Sequence, residues 1–426
     1  MNMLAAARGW QCTGASIACR GARTFAVSAT PKESVVPEGS ESDGQPGTFY
    51  ARDLEIKVDS PENIKPLPED LTELSFGKDF SPHVFKVCWS AAKGWGTPKV
   101  KPFESLSIHP AAPVIHYGVG CFEGMKAYAS ESEEGDILLF RPDMNLKRFN
   151  FSMSRLSLPA FDEKEFLGCL KRMLQVDKDH VPRAPGYSLY LRPFAAGTTA
   201  TLGVAPPADC EINVIACPVG PYYAGGLVPI DVLLDEDHVR AFPGGTGQYK
   251  VGGNYAPTLQ HLQRASKEFD CKQVLYTLPG QEASTLNERY VAECGAMNMF
   301  FLLENGASGE RELVTPPLDG TILAGVTRDT ILQLCGEWDD FKVSERMISV
   351  REIEEHASEG NLVEVFGSGT ACIIQPIKCL VKDNGARINV RENTGEDKLS
   401  DKIYKAITDI QYGRVKHRWS ESIYAP

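Results

Sequence analysis

Residues 244 to 258, Gly244-Gly245-Thr246-Gly247-Gln248-Tyr249-Lys250-Val251-Gly252-Gly253-Asn254-Tyr255-Ala256-Pro257-Thr258, set one lysine in a run of glycines. Glycine reaches positive φ and lets a flat ligand lie against the chain, so Lys250 reads as a side chain presented for chemistry. No other acidic or basic residue of the Asp, Glu, Lys or Arg type lies between Arg240 and Arg264. In so apolar a setting a lysine amine loses its proton readily and becomes a nucleophile or Schiff-base former. A solvated lysine on a Gly-rich turn fits the same letters. A helix is expected to follow, from about Pro257 to Phe269.

Three further segments downstream share this small-residue character. Val291-Ala292-Glu293-Cys294-Gly295-Ala296-Met297 contains a single acid, Glu293. If buried, it needs a cationic partner such as a protonated ring nitrogen; the exposed face of a hairpin is the other reading. The run Gly320 to Arg328 leads directly into a helix with Ile331, Leu332 and Leu334 on its apolar face. The free N–H groups of such a helix start bind phosphate, and Thr327 adds a hydroxyl there or simply caps the helix. Val363 to Cys372 reads as a strand ending in the turn Gly367-Ser368-Gly369-Thr370-Ala371, also suited to anions. Strands are expected at 230–234, 273–278 and 298–303, the last two paired, and a closing helix at 397–412.

Upstream, Leu106–Pro110 and Val114–Tyr117 read as short strands, with Tyr117 and Phe122 as candidate aromatic walls. Arg148 falls in a helix spanning about Asn145 to Leu156, where its guanidinium suits either a phosphate or a surface carboxylate. Apolar residues from Phe166 to Val176 recur at helical spacing and form core. Tyr187 to Phe194 alternates as a strand that puts Tyr190 and Arg192 on one face, where both can meet a carboxylate.

The N-terminus differs in kind. Residues 1–32 contain no Asp or Glu, whereas Arg8, Arg20, Arg23 and Lys32 are interspersed with small residues, the composition of a mitochondrial transit peptide. Residues 33–48 read as a flexible segment, 49–217 as a small N-terminal α/β domain, 218–228 as an interdomain linker, and 229–426 as a large C-terminal domain carrying the lysine. The net charge of −12 argues against nucleic acid as a partner, and the absence of a long apolar run argues against a membrane span. Twelve scattered cysteines without ligand spacing indicate reduced thiols, no disulfide framework and no metal site.

The lysine loop, the Glu293 segment, Gly325-Val326-Thr327 and Gly367-Ser368-Gly369-Thr370-Ala371 occur in one order with Phe122-Glu123-Gly124-Met125-Lys126, Tyr190-Leu191-Arg192-Pro193 and Gln411-Tyr412-Gly413. In this combination the chain, over residues 85 to 417, resembles the branched-chain amino acid aminotransferases, pyridoxal-phosphate enzymes of fold type IV, and most of all the eukaryotic ones. The resemblance implies an α/β fold of two domains joined by an interdomain loop, with the active site between them. It implies that Lys250 forms a Schiff base with pyridoxal 5'-phosphate and later carries a proton between the amino acid Cα and the cofactor. Glu293 would pair with the pyridine nitrogen and Tyr255 with the ring hydroxyl oxygen; Arg148, Val326, Thr327 and Thr370 would hold the phosphate.

For the substrate, the resemblance implies an α-carboxylate at Thr370-Ala371 and an aliphatic side chain among Phe122, Tyr190 and Tyr222. Arg192, with Tyr117 and Tyr190, would take the side-chain carboxylate of glutamate. The implied reaction is transfer of nitrogen from L-leucine, L-isoleucine or L-valine to 2-oxoglutarate. A homodimer is also implied, with Leu202 and Val204 reaching the other subunit's site, in the mitochondrial matrix or alternatively the cytoplasm. Two departures stand out: Cys372-Ile373-Ile374-Gln375 lacks the second cysteine of vertebrate mitochondrial members, so no thiol switch is expected, and Ala296 replaces a frequent threonine. The alternatives are a D-amino acid aminotransferase, an aminodeoxychorismate lyase, or a catalytically silent protein that binds pyridoxal phosphate.

Overall fold

A computed structural model of the chain describes residues 47–221, 227–280, 284–392 and 398–425. The expected transit peptide, most of the flexible segment after it, and Tyr222 in the expected linker lie outside these residues.

The first half forms strands β1 (Glu55–Ile56), β2 (His83–Ser90), β3 (Gly94–Trp95), β4 (Lys99–Pro102), β5 (Gly120–Phe122), β6 (Met125–Ala129), β7 (Ile137–Phe140), β8 (Ser188–Gly197) and β9 (Asp209–Val219). They share one sheet in the order β1-β4-β2-β9-β8-β6-β7, with β3 on β2 and β5 on β8. The β8–β9 pairing is antiparallel and unbroken from Ser188↔Val219 to Gly197↔Cys210. Three helices belong here: α1 (Pro113–Tyr117), α2 (Pro142–Arg155) and α3 (Glu163–Val176). Asp162 caps α3 by accepting from the Lys164 and Glu165 N–H groups. Leu146, Phe149 and Met153 of α2 and Phe166, Leu170 and Met173 of α3 are buried at helical spacing in one core with Phe49, Phe85 and Leu191. Each such side chain contributes about 1.5–3 kcal/mol by leaving water.

The second half adds β10 (Ile230–Asp235), β11 (Gln273–Pro279), β12 (Arg289–Cys294), β13 (Asn298–Glu304), β14 (Arg311–Thr315), β15 (Lys342–Glu345), β16 (Leu362–Gly369), β17 (Ile373–Lys382) and β18 (Arg387–Asn389). Their order is β12-β11-β10-β17-β16-β13-β14-β15, with β18 on β17. The sheet is mixed, since β10 runs parallel to both β11 and β17 whereas β13 and β17 flank β16 antiparallel. Helices α4 (Thr258–Phe269), α5 (Val326–Gly336), α6 (Val350–Ser358) and α7 (Leu399–Gln411) accompany it. Phe300 and Phe366, cross-strand partners, stack at 5.2 Å under α5 and α7. A last strand, β19 (Ser420–Ser422), returns to pair with β7 of the first sheet. No helix among the described residues is long and apolar enough to cross a membrane.

Several expectations need correction. Val114–Tyr117 is helix α1, because Pro113 at its first position presets helical φ and outweighs the β-branched pair after it. Leu106–Pro110 is irregular, with a turn entering Pro110. Segment 273–278 does not pair with 298–303: β12 folds back onto β11, and β13 lies between β14 and β16. Helix α2 starts at Pro142, three residues before the expected Asn145. Strand β9 continues through Val219, into the stretch read as linker.

Candidate active site

The lysine loop is anchored from both directions. Its backbone docks on β5, where the Phe122 N–H donates to the Lys250 carbonyl (3.0 Å) and Cys121 forms an isolated bridge with Val251. The Lys250 N–H donates to Ser152 Oγ of α2 (2.9 Å). Buried Asn254 closes the loop on itself, donating to the Thr246 and Tyr249 carbonyls and accepting from the Thr246 hydroxyl. Of the glycines, Gly244 has φ +78°, and a Cβ at Gly247 would lie 2.2 Å from the Thr321 carbonyl oxygen. Gly252 and Gly253 carry neither constraint.

Lys250 opens into a cavity of about 330 Å³ between the two sheets. Its Nζ lies 3.3 Å from the Tyr255 hydroxyl and 4.8 Å from the centre of the Phe122 ring. The walls gather Phe122, Arg148, Tyr190 and Arg192 from the first half with Tyr255, Glu293, Val326, Thr327, Thr370 and Ala371 from the second. Every described residue expected at the site is therefore on this cavity except Tyr117. That side chain is exposed at the end of α1, and its hydroxyl donates to the Leu202 carbonyl (2.6 Å).

Glu293 is buried on β12, and its Oε2 meets both Arg240 Nη1 (3.1 Å) and the Leu323 N–H (2.9 Å). Its Oε1 has no hydrogen-bond partner among the described residues. The cationic partner required by burial is thus Arg240, which arrives from a loop 53 positions away and carries no local signal in the sequence. Its guanidinium also donates through Nε to the Gly295 carbonyl (3.1 Å).

Arg148 is buried rather than on the surface. Its Nε and Nη2 grip the two oxygens of Glu123 at 2.7 and 2.8 Å, and Nη1 donates to the Ala324 carbonyl at 2.9 Å. Burial pushes the Glu123 carboxyl up, but the Arg148 charge and hydrogen bonds, with Lys250 and Asn145 adding, outweigh it and hold the pKa below 4.5. Three of the five guanidinium donors are committed in this way, and two protons remain.

The anion-binding features converge on the same space. Helix α5 starts at Val326 with no side chain capping it, so its first N–H groups are free of a protein partner at the cap. Ser368, the penultimate residue of β16, has a buried hydroxyl without a hydrogen-bond partner among the described residues. Past Thr370-Ala371 the chain takes Ile373 through φ +63°, an unusual conformation for a β-branched residue. Lys126 on β6 supports this turn from behind, its Nζ donating to the Ala371 carbonyl at 2.9 Å. Burial pulls the Lys126 pKa down to about 8. At the other end, Arg192 donates to the Tyr190 hydroxyl (3.0 Å) and lies 4.8 Å over the Phe122 ring, with its buried Nε unpaired. Phe76, edge-on to Tyr190 at 5.2 Å, joins this wall from an irregular loop that gave no sign of it in the sequence. A lysine amine, a carboxylate with a free oxygen, a phenol and two turns with free donors on one aromatic cavity are groups that fit a phosphorylated, protonatable ring.

The family model of amino-transferase class IV matches residues 120–380. A cytosolic branched-chain-amino-acid aminotransferase of Caenorhabditis elegans is 42% identical over 88% of this chain and 90% of its own length. The mitochondrial enzyme of that name from Rattus norvegicus is 40% identical over 87% of this chain and 91% of its own. Among solved structures, the branched-chain amino acid aminotransferase of Thermobaculum terrenum in its PLP form superposes with a TM-score of 0.62 at 18% identity, covering 82% of this chain and 100% of that one. The Escherichia coli enzyme gives 0.59 at 24% identity, with 80% and 100% covered.

Proposed function

Because the chain belongs to the class IV aminotransferases, and within them to the branched-chain-amino-acid aminotransferases, we propose that the Lys250 cavity moves the amino group of L-leucine, L-isoleucine and L-valine to 2-oxoglutarate. The products are the branched-chain 2-oxo acids and L-glutamate. The single observation that carries this reading is the meeting of Lys250, Tyr255, Glu293 and the α5 start on one cavity. Pyridoxal 5'-phosphate, the family's cofactor, supplies the electron sink that lets the proton on the amino acid Cα leave.

The chain's own groups then have distinct tasks. Lys250 would hold the cofactor through its amine, and its Nζ is the group that would take and return the proton at the substrate Cα. Glu293, paired with Arg240 and the Leu323 N–H through Oε2, would meet the cofactor's ring nitrogen with its free Oε1. Tyr255 orients the ring oxygen. The two spare protons of Arg148, the N–H groups at Val326 and Thr327, and Thr370 would hold the phosphate independently of Lys250. Thr370-Ala371 receives the α-carboxylate, and Phe122, Tyr190 and Tyr222 surround the aliphatic chain. Arg192, bonded to the Tyr190 hydroxyl and with its Nε unpaired, takes the side-chain carboxylate of glutamate.

We extend the proposal to a homodimer in which Leu202 and Val204, both exposed in the single chain, complete the neighbouring site. Residues 1–32 act as a mitochondrial transit peptide, and the linker between the two domains begins after Val219, where β9 ends. Supplying L-leucine and 2-oxoglutarate to the purified protein and following both products tests the reaction. Glutamate and the leucine-derived 2-oxo acid should form together in equal amounts; a preference for D-alanine as donor would transfer the chain to the D-amino acid reading.

A further inference from the structure

Asp235, His238 and His261 lie together outside the cavity, and nothing in the transamination chemistry uses them. Asp235 ends β10 and is fully buried. Its Oδ1 accepts from the backbone N–H groups of Asp237 (3.0 Å) and His238 (2.8 Å) and lies 3.2 Å from His238 Nδ1. Its Oδ2 faces two imidazoles: His238 Nδ1 at 3.1 Å, from the loop after β10, and His261 Nδ1 at 3.7 Å, from the second turn of α4. The rings are 4.3 Å apart between centres, and one ligand atom from each residue lies within 4.8 Å of the other two.

We propose that these three side chains bind one divalent transition-metal ion of the zinc type. Bonds of about 2.0–2.2 Å in a tetrahedron put the ligand atoms about 3.3–3.6 Å apart. The 3.7 Å from Asp235 Oδ2 to His261 Nδ1 is too long for a hydrogen bond and close to that edge, whereas the 3.1 Å to His238 Nδ1 is a hydrogen bond whose proton the ion would displace. Two neutral imidazoles and one carboxylate are a donor set that zinc, cobalt and nickel accept and that calcium and magnesium do not favour. The carboxylate is oriented by backbone N–H groups, as ligating carboxylates usually are. His238 is half exposed, which leaves the ion a path in and a fourth position for water. Tyr276 borders the same carboxylate with its ring edge-on to His261, and its buried hydroxyl has no partner; a metal-bound water would give it one.

The site ties the loop after β10 to α4. Two residues beyond His238 stands Arg240, the cation on Glu293, so the ion fixes the wall that presents this carboxylate to the cavity. The sequence concealed the site because its third ligand comes from a helix 23 residues after His238, which is no familiar ligand spacing.

The test uses the full chain loaded with its cofactor, dialysed against a chelator and titrated calorimetrically with Zn²⁺, and in parallel with Co²⁺ followed by visible spectroscopy. One equivalent should bind, and Co²⁺ should develop the intense bands of a tetrahedral site. His238→Ala and His261→Ala should each weaken binding by more than the roughly 10–100-fold typical of losing an outer-shell partner. Cys88→Ser, which removes the exposed thiol among the described residues, should leave it unchanged. Circular dichroism of His238→Ala, altered at a half-exposed side chain, separates a lost ligand from a lost fold. No saturable binding, or equal affinity in the histidine variants, overturns the proposal.

Discussion

Arg240 Nη1 and Glu293 Oε2 meet at 3.1 Å with both side chains almost fully buried. Arg240 is enclosed by protein and Glu293 faces only the cavity, so removing one leaves the other without its charge partner. Arg240→Met is expected to destabilise the protein by about 3–5 kcal/mol in urea unfolding, and Glu293→Gln by a similar amount. The double variant should cost clearly less than the sum, because the coupling is then gone from both sides. Simple additivity would show that the pair does not act as one unit.

The same pair shows where the sequence was readable and where it was not. Local patterns carried the lysine loop, the β8 face bearing Tyr190 and Arg192, the buried stripe of α3 and the glycine-flanked turns, because each is decided within a few residues. Partners brought together by folding left no such trace. Glu123 reads as one more letter of a motif, yet it is the buried anion that grips Arg148, and Lys126 supports a turn 245 positions away. Helix α1 was misread as strand because five residues with Val114 and Ile115 carry too little periodicity to offset β-branching. The pairing of β11 depended on β12, a short strand whose role is set by its neighbours.

Gly124 is the packing surface for Tyr190: a Cβ there would sit 2.0 Å from the Tyr190 hydroxyl. Gly124→Ala should displace that ring and break its bond from Arg192. Arg192→Gln removes the guanidinium itself. Both variants should raise the KM for 2-oxoglutarate more than that for leucine, by about 10- to 100-fold for Arg192→Gln, as a charge-assisted hydrogen bond of about 1.5–3 kcal/mol implies. Equal effects on both substrates in steady-state kinetics would remove Arg192 from the carboxylate role.

Glu123 contributes stability of the acid-labile kind. Its folded pKa lies below the ordinary value, so its contribution is complete above the unfolded pKa near 4.5 and is lost as pH falls through the folded value. Glu123→Gln should cost about 3–5 kcal/mol near neutrality by leaving Arg148 unpaired. The gap to wild type should then narrow in acid. Unfolding curves at neutral and acidic pH give the comparison, and a gap independent of pH would count against an ionised Glu123.

Lys126 gives the same direction of slope for the opposite reason, because folding penalises its charged form. With its pKa pulled from 10.5 to about 8, the unfolded chain holds the extra proton between those values, so stability rises with pH across that window. Below it, the buried ammonium carries its full penalty, roughly 3 kcal/mol from a shift of this size. Lys126→Met should therefore compare best with wild type near neutral pH and lose ground as the medium becomes alkaline. Through the loss of support for Ala371 it should also raise the amino acid KM, which a purely structural role would leave alone.

The most direct test of the account is the visible absorption spectrum of the purified protein, before and after adding L-leucine without any 2-oxo acid. The band of lysine-bound pyridoxal phosphate should bleach with leucine, return with 2-oxoglutarate, and be missing from Lys250→Ala. A band indifferent to leucine, or one that survives in Lys250→Ala, would contradict the assignment of Lys250 as the residue that binds the cofactor and moves the proton.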